Sequence, residues 1–297
     1  MKFIILGSTG MLGHALIKEA LLRKLEVVGL ARRDADICLD VTDGEALMQV
    51  IQNERPDVVI NTIAAVNLEK CEKDPAYAYL VNARPSSILA DVCGKLGIYY
   101  IYISTDHFYT QDGEKKHNED YPIIIINEYA RTKYAGECFT SINPSALVIR
   151  TNIVGFHYHK FEQPTFVEWI IKSIETKAEI TMFYDYIVSS IDVCSFSQAL
   201  FGLIEKKTTG ILNLACRDAK SKKAFIEAMA THFKQELHHA RSESVLSLRG
   251  VPRAASLGLD VAKAEGILGY ALPTFEQVIS NLVAEHNQNR KGLYSEV

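Results

Sequence analysis

The chain has 297 residues, of which 48% are hydrophobic and 23% are charged, and its formal net charge is −4. This composition is that of an ordinary globular protein with a sizeable core. Acidic and basic residues are interspersed, and the basic clusters are short, such as Lys220 with Lys222 and Lys223. We interpret such a cluster as part of a solvated face, and the pattern argues against a nucleic-acid-binding surface.

Two further features bear on location. The opening residues Met1–Gly10 lack the apolar stretch of a signal peptide, and no later stretch has the length that a membrane span requires. The six cysteines are scattered without metal-binding spacing, as is typical of reduced thiols. We therefore expect a cytoplasmic protein that uses neither membrane nor nucleic acid as a partner.

The first half of the chain alternates short β-branched runs with amphipathic segments, the pattern of parallel strands joined by crossover helices. The predicted strands are Lys2–Leu6, Glu26–Leu30, Val58–Thr62, Ile98–Ser104 and Ala146–Ile149. The predicted helices are Leu12–Arg23, Gly44–Asn53, Pro75–Gly94 and Glu128–Ser141. This order predicts an α/β fold with a Rossmann-type, doubly wound parallel sheet.

Beyond Arg150 the alternation becomes irregular, and short strands are mixed with helices. The helices predicted there are Phe166–Thr176, Lys222–His232 and Thr274–Glu285. We expect residues 1–152 to form a dinucleotide-binding domain and residues 153–297 to form mainly a smaller C-terminal α/β domain that binds substrate. The chain is expected to cross back to the first domain around residues 185–210.

A glycine-rich loop joins the first predicted strand to the first predicted helix. Its glycines follow the pattern Gly-x-x-Gly-x-x-Gly, in which missing side chains allow a tight turn and close approach of a pyrophosphate to the helix N-terminus. The predicted cofactor contacts of this loop are Gly7, Thr9, Gly10, Met11, Leu12 and Gly13.

The end of the second predicted strand bears on the choice between NAD and NADP. An acidic residue there would accept from the ribose 2′-hydroxyl of NAD, whereas this strand is followed by Arg32 and Arg33. Guanidinium groups suit a 2′-phosphate, so NADPH is the expected cofactor and NADH the alternative. Asp40 and Val41, after the next short strand, are expected to border the adenine.

Tyr129 and Lys133 are four residues apart on a predicted helix and therefore share one face. The charge of the lysine is expected to lower the pKa of the tyrosine and to make it a usable proton donor to a carbonyl group. Ser104 and Thr105 end a predicted strand at the edge of the sheet where ligands bind in open α/β folds. Thr105 is the hydroxyl predicted to orient a substrate carbonyl.

These motifs occur in the order found in extended short-chain dehydrogenases/reductases. With Asn61–Ala65, Val81–Ala83, Arg150-Thr151 and Arg253–Lys263 added, the sequence resembles the dTDP-4-dehydrorhamnose reductase family over nearly its whole length. The resemblance implies NADPH-dependent reduction of the 4-keto group of a nucleotide-linked 6-deoxyhexose. It is also compatible with a homodimer.

The resemblance implies roles for particular residues. Thr105, Tyr129 and Lys133 would be catalytic, and Lys133 would also bind the nicotinamide ribose. Ala64, Ala65 and Asn82 would border the cofactor. Substrate contacts are expected from Asp106, His107 and Arg253, the last as a forked contact to a diphosphate.

The sequence departs from the pattern of the family at three places. His107–Thr110 replaces a run of the Tyr-Val-Phe-Asp type, Ile123–Ile126 replaces a more polar lead-in to the catalytic tyrosine, and Ile153 stands where an aromatic residue is common. These changes leave the identity of the sugar open. His157 and His159 do not have the spacing of a zinc site, so no metal is expected.

Two alternative functions remain. A nucleotide-sugar epimerase or dehydratase of the same fold would hold NAD tightly, and the missing acid after Leu30 disfavours it. A non-catalytic NADP-binding subunit that resembles the regulatory β subunit of methionine adenosyltransferase is the second alternative. Thr105, Tyr129 and Lys133 favour an enzyme over such a subunit.

Overall fold

The structure, a computed structural model, describes residues 1–109, 112–113, 115–158 and 163–294. The strands are β1 (Lys2–Leu6), β2 (Glu26–Ala31), β3 (Ile37–Cys38), β4 (Val58–Asn61), β5 (Tyr99–Ile103), β6 (Leu147–Arg150), β7 (Asn152–Val154), β8 (Ile180–Phe183), β9 (Ile187–Val188), β10 (Ser190–Asp192), β11 (Gly210–Asn213), β12 (Lys220–Ser221), β13 (Ala240–Glu243) and β14 (Ser256–Leu257). The α-helices are α1 (Met11–Leu22), α2 (Gly44–Glu54), α3 (Leu68–Lys73), α4 (Pro75–Asn82), α5 (Arg84–Leu96), α6 (Glu128–Thr140), α7 (Phe166–Glu175), α8 (Val193–Glu205), α9 (Lys222–His232), α10 (Ala262–Leu268) and α11 (Phe275–Tyr294).

A seven-stranded sheet of wholly parallel strands forms the larger part of the molecule, in the order β11-β6-β5-β4-β1-β2-β3. Apolar side chains of α1 and α8 cover one face, and those of α2 and α5 cover the other. Because both faces are covered, the central strands are almost continuously apolar and buried. The predicted doubly wound α/β fold is therefore confirmed, and its strand order reverses between β1 and β4.

The segment predicted as one helix over Pro75–Gly94 forms two helices instead. The chain leaves the helical path at Ala83, where φ is −114° and ψ is −50°, and a new helix starts with Pro85 in its first turn. Proline has no N–H for a helical hydrogen bond, and its ring would clash with the carbonyl group of Val81 in a continuous helix. The break matters for the site because it lets the buried Asn82 side chain turn toward a neighbouring loop.

The C-terminal part has its own apolar cluster, in which α7, α9 and α11 pack around β8. Thr165 and Glu168 form a reciprocal capping box that fixes the start of α7. Three small sheets accompany these helices, formed by β7 with β10, by β8 with β13, and by β9 with β12 and β14. Between them the chain returns to the large sheet through α8 and β11. Within the described ranges, no helix is long and apolar enough to cross a membrane.

Candidate active site

A cleft of about 1200 Å³ runs along the carboxyl ends of β1, β2, β4, β5 and β6. It lies across the point where the strand order of the sheet reverses, which is where open α/β sheets bind their ligands. Its lining includes most of the predicted site residues, namely Gly7, Thr9, Gly10, Met11, Leu12, Gly13, Arg32, Arg33, Asp40, Val41, Ala64, Thr105, Asp106, His107, Tyr129 and Lys133. The fold thus brings the predicted cofactor loop and the predicted catalytic residues into one cavity.

The glycine loop has the close backbone approach that its sequence predicts. Gly7 has a φ of 81°, in the left-handed region, and a Cβ built on Gly13 would lie 2.1 Å from the carbonyl oxygen of Gly7. Alanine at position 13 would therefore force the loop away from the helix. Gly10 occupies the N-cap of α1, so no side chain caps the first turn, and this turn contains no acidic residue.

These features fit a dinucleotide. The first amide groups of a helix have no partner within the helix, and here no side chain competes for them. The partial positive charge at the N-terminus of α1 favours an anion at the same place. The residues that would hold the pyrophosphate are Gly10, Met11, Leu12 and Gly13, all of which line the cleft.

Arg32 and Arg33 are exposed at the end of the cleft beside β2 and β3. In the part of the chain that the structure describes, no carboxylate lies within 4.0 Å of either guanidinium group. Asp40 lies close by. Hydrogen bonds from the Thr42 amide and hydroxyl lower the pKa of its carboxyl group, and the charge of Arg32 acts in the same direction. The guanidinium groups are thus available for a phosphate.

Ala64 lines the cleft, whereas Ala65 and Asn82 lie behind the lining residues. The Asn82 side chain accepts from the Ala65 amide at 2.7 Å and donates to the Thr132 hydroxyl at 3.0 Å. It therefore fastens the loop after β4 to helix α6, which carries Tyr129 and Lys133. Asn82 therefore has a structural role in joining these two segments, and its position beside the cofactor stays a prediction.

Tyr129 and Lys133 lie on one face of α6, as the spacing predicts, but their electrostatics differ from the prediction. Burial raises the pKa of Tyr129 to about 12, and only the nearby Thr105 hydroxyl acts in the opposite direction. Lys133 donates to the Ile103 carbonyl oxygen at 2.7 Å and lies over the Tyr102 ring. The expected lowering of the tyrosine pKa by Lys133 is therefore wrong for this structure, because the ammonium group is engaged elsewhere and the phenol is desolvated.

Burial also lowers the pKa of Lys133 to about 7, against the opposing effect of Glu137. Its side chain is only 2% exposed. An amine with such a pKa gains and loses a proton readily at neutral pH. Tyr129, by contrast, stays protonated at neutral pH, which suits a proton donor.

Thr105 lies two residues beyond the end of β5, is buried, and faces both Tyr129 and Asp106. Its hydroxyl lies 3.4 Å from Asp106 Oδ1. Asp106 is 1% exposed and accepts from Asn152 Nδ2 at 2.9 Å. Burial raises the pKa of Asp106 to about 7, although the Asn152 hydrogen bond and the charge of Lys222 oppose the shift.

His107 lies beside Tyr129, with the two ring centroids 5.3 Å apart. Burial lowers the pKa of His107 to about 4, so its imidazole is neutral at physiological pH. Its Nδ1 atom is buried and has no hydrogen-bond partner in the described part of the chain. A neutral imidazole with one unused nitrogen suits contact with a hydroxyl group of a ligand.

Arg253 does not line the cleft. It forms an ion pair with Glu69 at 2.9 Å, although its charge still reaches His107 and Tyr186. Its role as a diphosphate contact stays a prediction. Thr110 and His159, which the sequence also singled out, lie outside the described residues.

Three residues at this end were not predicted from the sequence, namely Asn152, Tyr186 and Lys222. Asn152 is two residues beyond Arg150, and its position next to the Arg-Thr pair is the signal that could have revealed it. Tyr186 Oη lies 3.5 Å from His107 Nε2. Lys222 was interpreted as part of a solvated basic cluster, which is wrong, because its side chain is half-buried and affects the pKa of Asp106.

A buried ion pair holds helix α6 against the sheet. Arg150 at the end of β6 contacts Glu137 of α6 at 2.9 Å, and the two side chains are 2% and 1% exposed. Arg150 also donates to the Tyr109 hydroxyl and to the Glu119 carbonyl oxygen. It therefore links α6 to the loop that follows Thr105 and His107.

Comparison with known proteins agrees with this arrangement. The sequence profile described as RmlD substrate binding domain matches residues 1–288. The chain belongs to the RmlD substrate-binding domain family. The resemblance to dTDP-4-dehydrorhamnose reductases inferred from the motifs is confirmed, and so is the prediction of an oxidoreductase at the level of this family.

Three proteins illustrate what the chain is similar to in sequence and in fold. A probable low-salt glycan biosynthesis reductase, Agl14 of Haloferax volcanii, is 25% identical over 96% of this chain and 98% of its own. The structure of dTDP-4-dehydrorhamnose reductase from Bacillus anthracis in complex with NADP is 23% identical, with a TM-score of 0.86 over 96% of this chain and 99% of its own. A UDP-glucose 4-epimerase from Thermotoga maritima is 16% identical, with a TM-score of 0.82 over 97% of this chain and 99% of its own. The fold alone therefore does not separate reductases from epimerases.

Proposed function

We propose that this protein uses NADPH to reduce the 4-keto group of a nucleotide-linked 6-deoxyhexose. The observation that carries the proposal is the position of Thr105, Tyr129 and Lys133 in the same cleft as the glycine loop. The substrate class is supported by the family and by the names of its members, the dTDP-4-dehydrorhamnose reductases. The choice of NADPH is supported by Arg32 and Arg33 at the adenosine end.

NADPH would supply the hydride for the carbonyl carbon when bound. Tyr129 Oη would donate its proton to the carbonyl oxygen as charge develops there, and the raised pKa of this phenol keeps the proton in place until then. The Thr105 hydroxyl lies beside Tyr129 and would orient the same oxygen. The phenolate would regain its proton from solvent after the reaction, and Lys133 Nζ, held by the Ile103 carbonyl oxygen, would bind the nicotinamide ribose.

The proposal is tested by incubating the purified protein with dTDP- and UDP-linked 4-keto-6-deoxyhexoses and following the absorbance of NADPH. Consumption of NADPH in proportion to the alcohol formed is the expected result. If the protein instead purifies with tightly bound NAD and interconverts sugars without net oxidation of NADPH, the epimerase alternative is correct. If it binds NADPH but reduces none of the sugar nucleotides, a binding subunit becomes the better description.

A homodimer and a cytoplasmic location remain predictions beside this proposal. The described residues contain no group of three or more His, Cys, Asp or Glu side chains that could hold a metal ion. The proposed proton transfer is assigned to side chains alone.

A further inference from the structure

Lys222, the first residue of α9, is half-buried close to the substrate end of the cleft, although it is not one of the residues that line it. Its backbone amide donates to the Tyr186 carbonyl oxygen at 2.9 Å, which fixes the start of the helix beside the cleft. Its Nζ atom lies 4.0 Å from the centre of the Phe166 ring. Within the described ranges, no acceptor hydrogen-bonds to Nζ and no carboxylate lies within 4.0 Å of it.

Other cations nearby are placed differently. Lys223, the next residue, faces Glu227 at 3.8 Å in an i,i+4 pair. Arg253 is held by Glu69. Lys222 thus keeps three N–H donors unused in a half-buried position, whereas the charges of its neighbours are balanced.

The charge of Lys222 reaches two polar side chains of the cleft. It opposes the effect of burial on the pKa of Asp106, and it contributes to the low pKa of His107. Asp106 in turn raises the pKa of Lys222, which burial lowers to about 8. Tyr186 joins the start of α9 to the residues after Thr105, because its carbonyl oxygen accepts from the Lys222 amide and its Oη lies 3.5 Å from His107 Nε2.

Three complementary groups therefore come from the start of α9 and from the residues after Thr105. Lys222 offers donors, the Asp106 carboxyl group offers acceptors, and His107 offers a buried Nδ1 without a partner in the described part of the chain. The Phe166 and Tyr186 rings lie beside them. Such a mixture of polar groups and aromatic rings suits a sugar ring, which has hydroxyl groups at its edge and an apolar face.

We propose that Lys222, Asp106 and His107 form a site for the ring hydroxyl groups of the substrate sugar, so that the enzyme prefers a fully hydroxylated 4-keto-6-deoxyhexose over a further deoxygenated one. This inference rests on the proposed function and deepens it. A hydroxyl group can accept from Lys222 and donate to Asp106 at the same time. A diphosphate can only accept, and the Asp106 carboxylate would repel it.

The expected preference follows from the strength of hydrogen bonds to charged groups. Loss of one such bond lowers kcat/KM by roughly 10- to 100-fold, and the buried partner is then left unpaired. Wild-type protein should therefore reduce dTDP-4-keto-6-deoxy-D-glucose more efficiently than its 2-deoxy or 3-deoxy counterpart by about this factor.

The test compares Lys222→Met with wild type on these three substrates, with Lys223→Met as the matched control. Lys222→Met should lower kcat/KM for the hydroxylated sugar. It should leave kcat/KM unchanged for the deoxy sugar that lacks the hydroxyl group bound by Lys222, and the KM for NADPH should also be unchanged. Lys222→Arg should restore part of the preference, because it keeps the charge and the donors. Wild-type protein that does not discriminate, or equal losses on all three substrates, would overturn the proposal.

A binding measurement separates failure of this inference from failure of the proposed function. The dissociation constants of dTDP and dTDP-L-rhamnose are measured by calorimetry in the presence of NADP⁺. Lys222→Met should remove most of the affinity gained from the sugar and leave the affinity for dTDP unchanged. Weaker binding of dTDP itself would show that Lys222 contacts the diphosphate. If wild type reduces no 4-keto sugar nucleotide, the proposed function fails whatever Lys222 does.

Discussion

The two ends of the cleft are built in different ways. At the cofactor end, the glycine loop and the first turn of α1 form one continuous stretch between Gly7 and Gly13. At the substrate end, the polar groups come from Asp106 with His107, from Asn152, from Tyr186 and from Lys222, which are far apart in sequence. The first end depends on local backbone geometry, and the second depends on how the C-terminal part packs onto the sheet.

The two buried or half-buried lysines near Thr105 also differ in how they are placed. Lys133 is engaged with the Ile103 carbonyl oxygen and is fully enclosed. Lys222 is half-buried and has no acceptor in the described part of the chain. The protein itself supplies the hydrogen-bond acceptor for Lys133 on α6. The ammonium group of Lys222 has hydrogen-bond donors that a ligand can satisfy.

The largest expected effect lies at the junction of the two ends. Tyr129→Phe should reduce kcat by about 10²–10⁴-fold, because the proton donor is lost. The KM for NADPH should change little, since the ring that packs in the cleft is retained. Tyr134→Phe, which removes a hydroxyl group from the same helix outside the cleft lining, is the control and should keep wild-type turnover. Near wild-type turnover of Tyr129→Phe would exclude this proton donor.

Arg150 is expected to stabilise the cleft, because it contacts both helix α6 and the loop after Thr105. Arg150→Met should destabilise the protein by about 3–5 kcal/mol, because Glu137 would remain as an unpaired buried charge. Thermal unfolding followed by circular dichroism measures the loss. Arg131→Met, which breaks an exposed pair with Glu128, should cost at most about 1 kcal/mol. Equal effects of the two changes would contradict a buried, supporting pair.

Arg32→Ala combined with Arg33→Ala tests the cofactor end alone. The double change should remove a preference for NADPH over NADH of roughly 10- to 100-fold, the value of a hydrogen bond between charged groups. The KM for the sugar nucleotide should stay as in wild type, because these residues lie at the far end of the cleft from Asp106. A double variant that still prefers NADPH would show that the phosphate is bound elsewhere.

The smallest expected effect is a shift in the pH profile of kcat/KM. Asp106 must be ionised to accept from a sugar hydroxyl, and its pKa is raised to about 7, so activity should fall as the pH drops through 7. His107, Tyr129, Tyr186 and Lys222 are the titratable groups that face it, and of these Lys222 favours the carboxylate.

Lys222→Met should therefore move this fall to higher pH, because removal of a nearby positive charge raises the pKa of a carboxyl group. Asp106→Asn should abolish it. A profile that Asp106→Asn leaves unchanged would assign the low-pH limb to another group, and Lys133 would be the next candidate since its pKa is also near 7.

Sequence reasoning worked best where a structural feature depends on neighbouring residues. The five predicted strands agree with β1, β2, β4, β5 and β6 of the large sheet to within one or two residues, since buried parallel strands require continuous apolar runs, whereas bounds for its edge strands β3 and β11 were not predicted. It was less accurate at Ala83, where the apolar periodicity continues across the break and only Pro85 signals the change. Helix α8 was not predicted, although it covers much of one face of the sheet.

The sequence by itself determined the doubly wound fold, the glycine loop and the shared helical face of Tyr129 and Lys133, because backbone sterics and helical periodicity act over a few residues. Only the tertiary structure decided the electrostatics of the site. Burial raises the pKa of Tyr129, and the packing of α7 and α9 places the Lys222 ammonium group over the Phe166 ring rather than in solvent. Desolvation depends on every element that packs around a group, and no local pattern in the sequence records that packing.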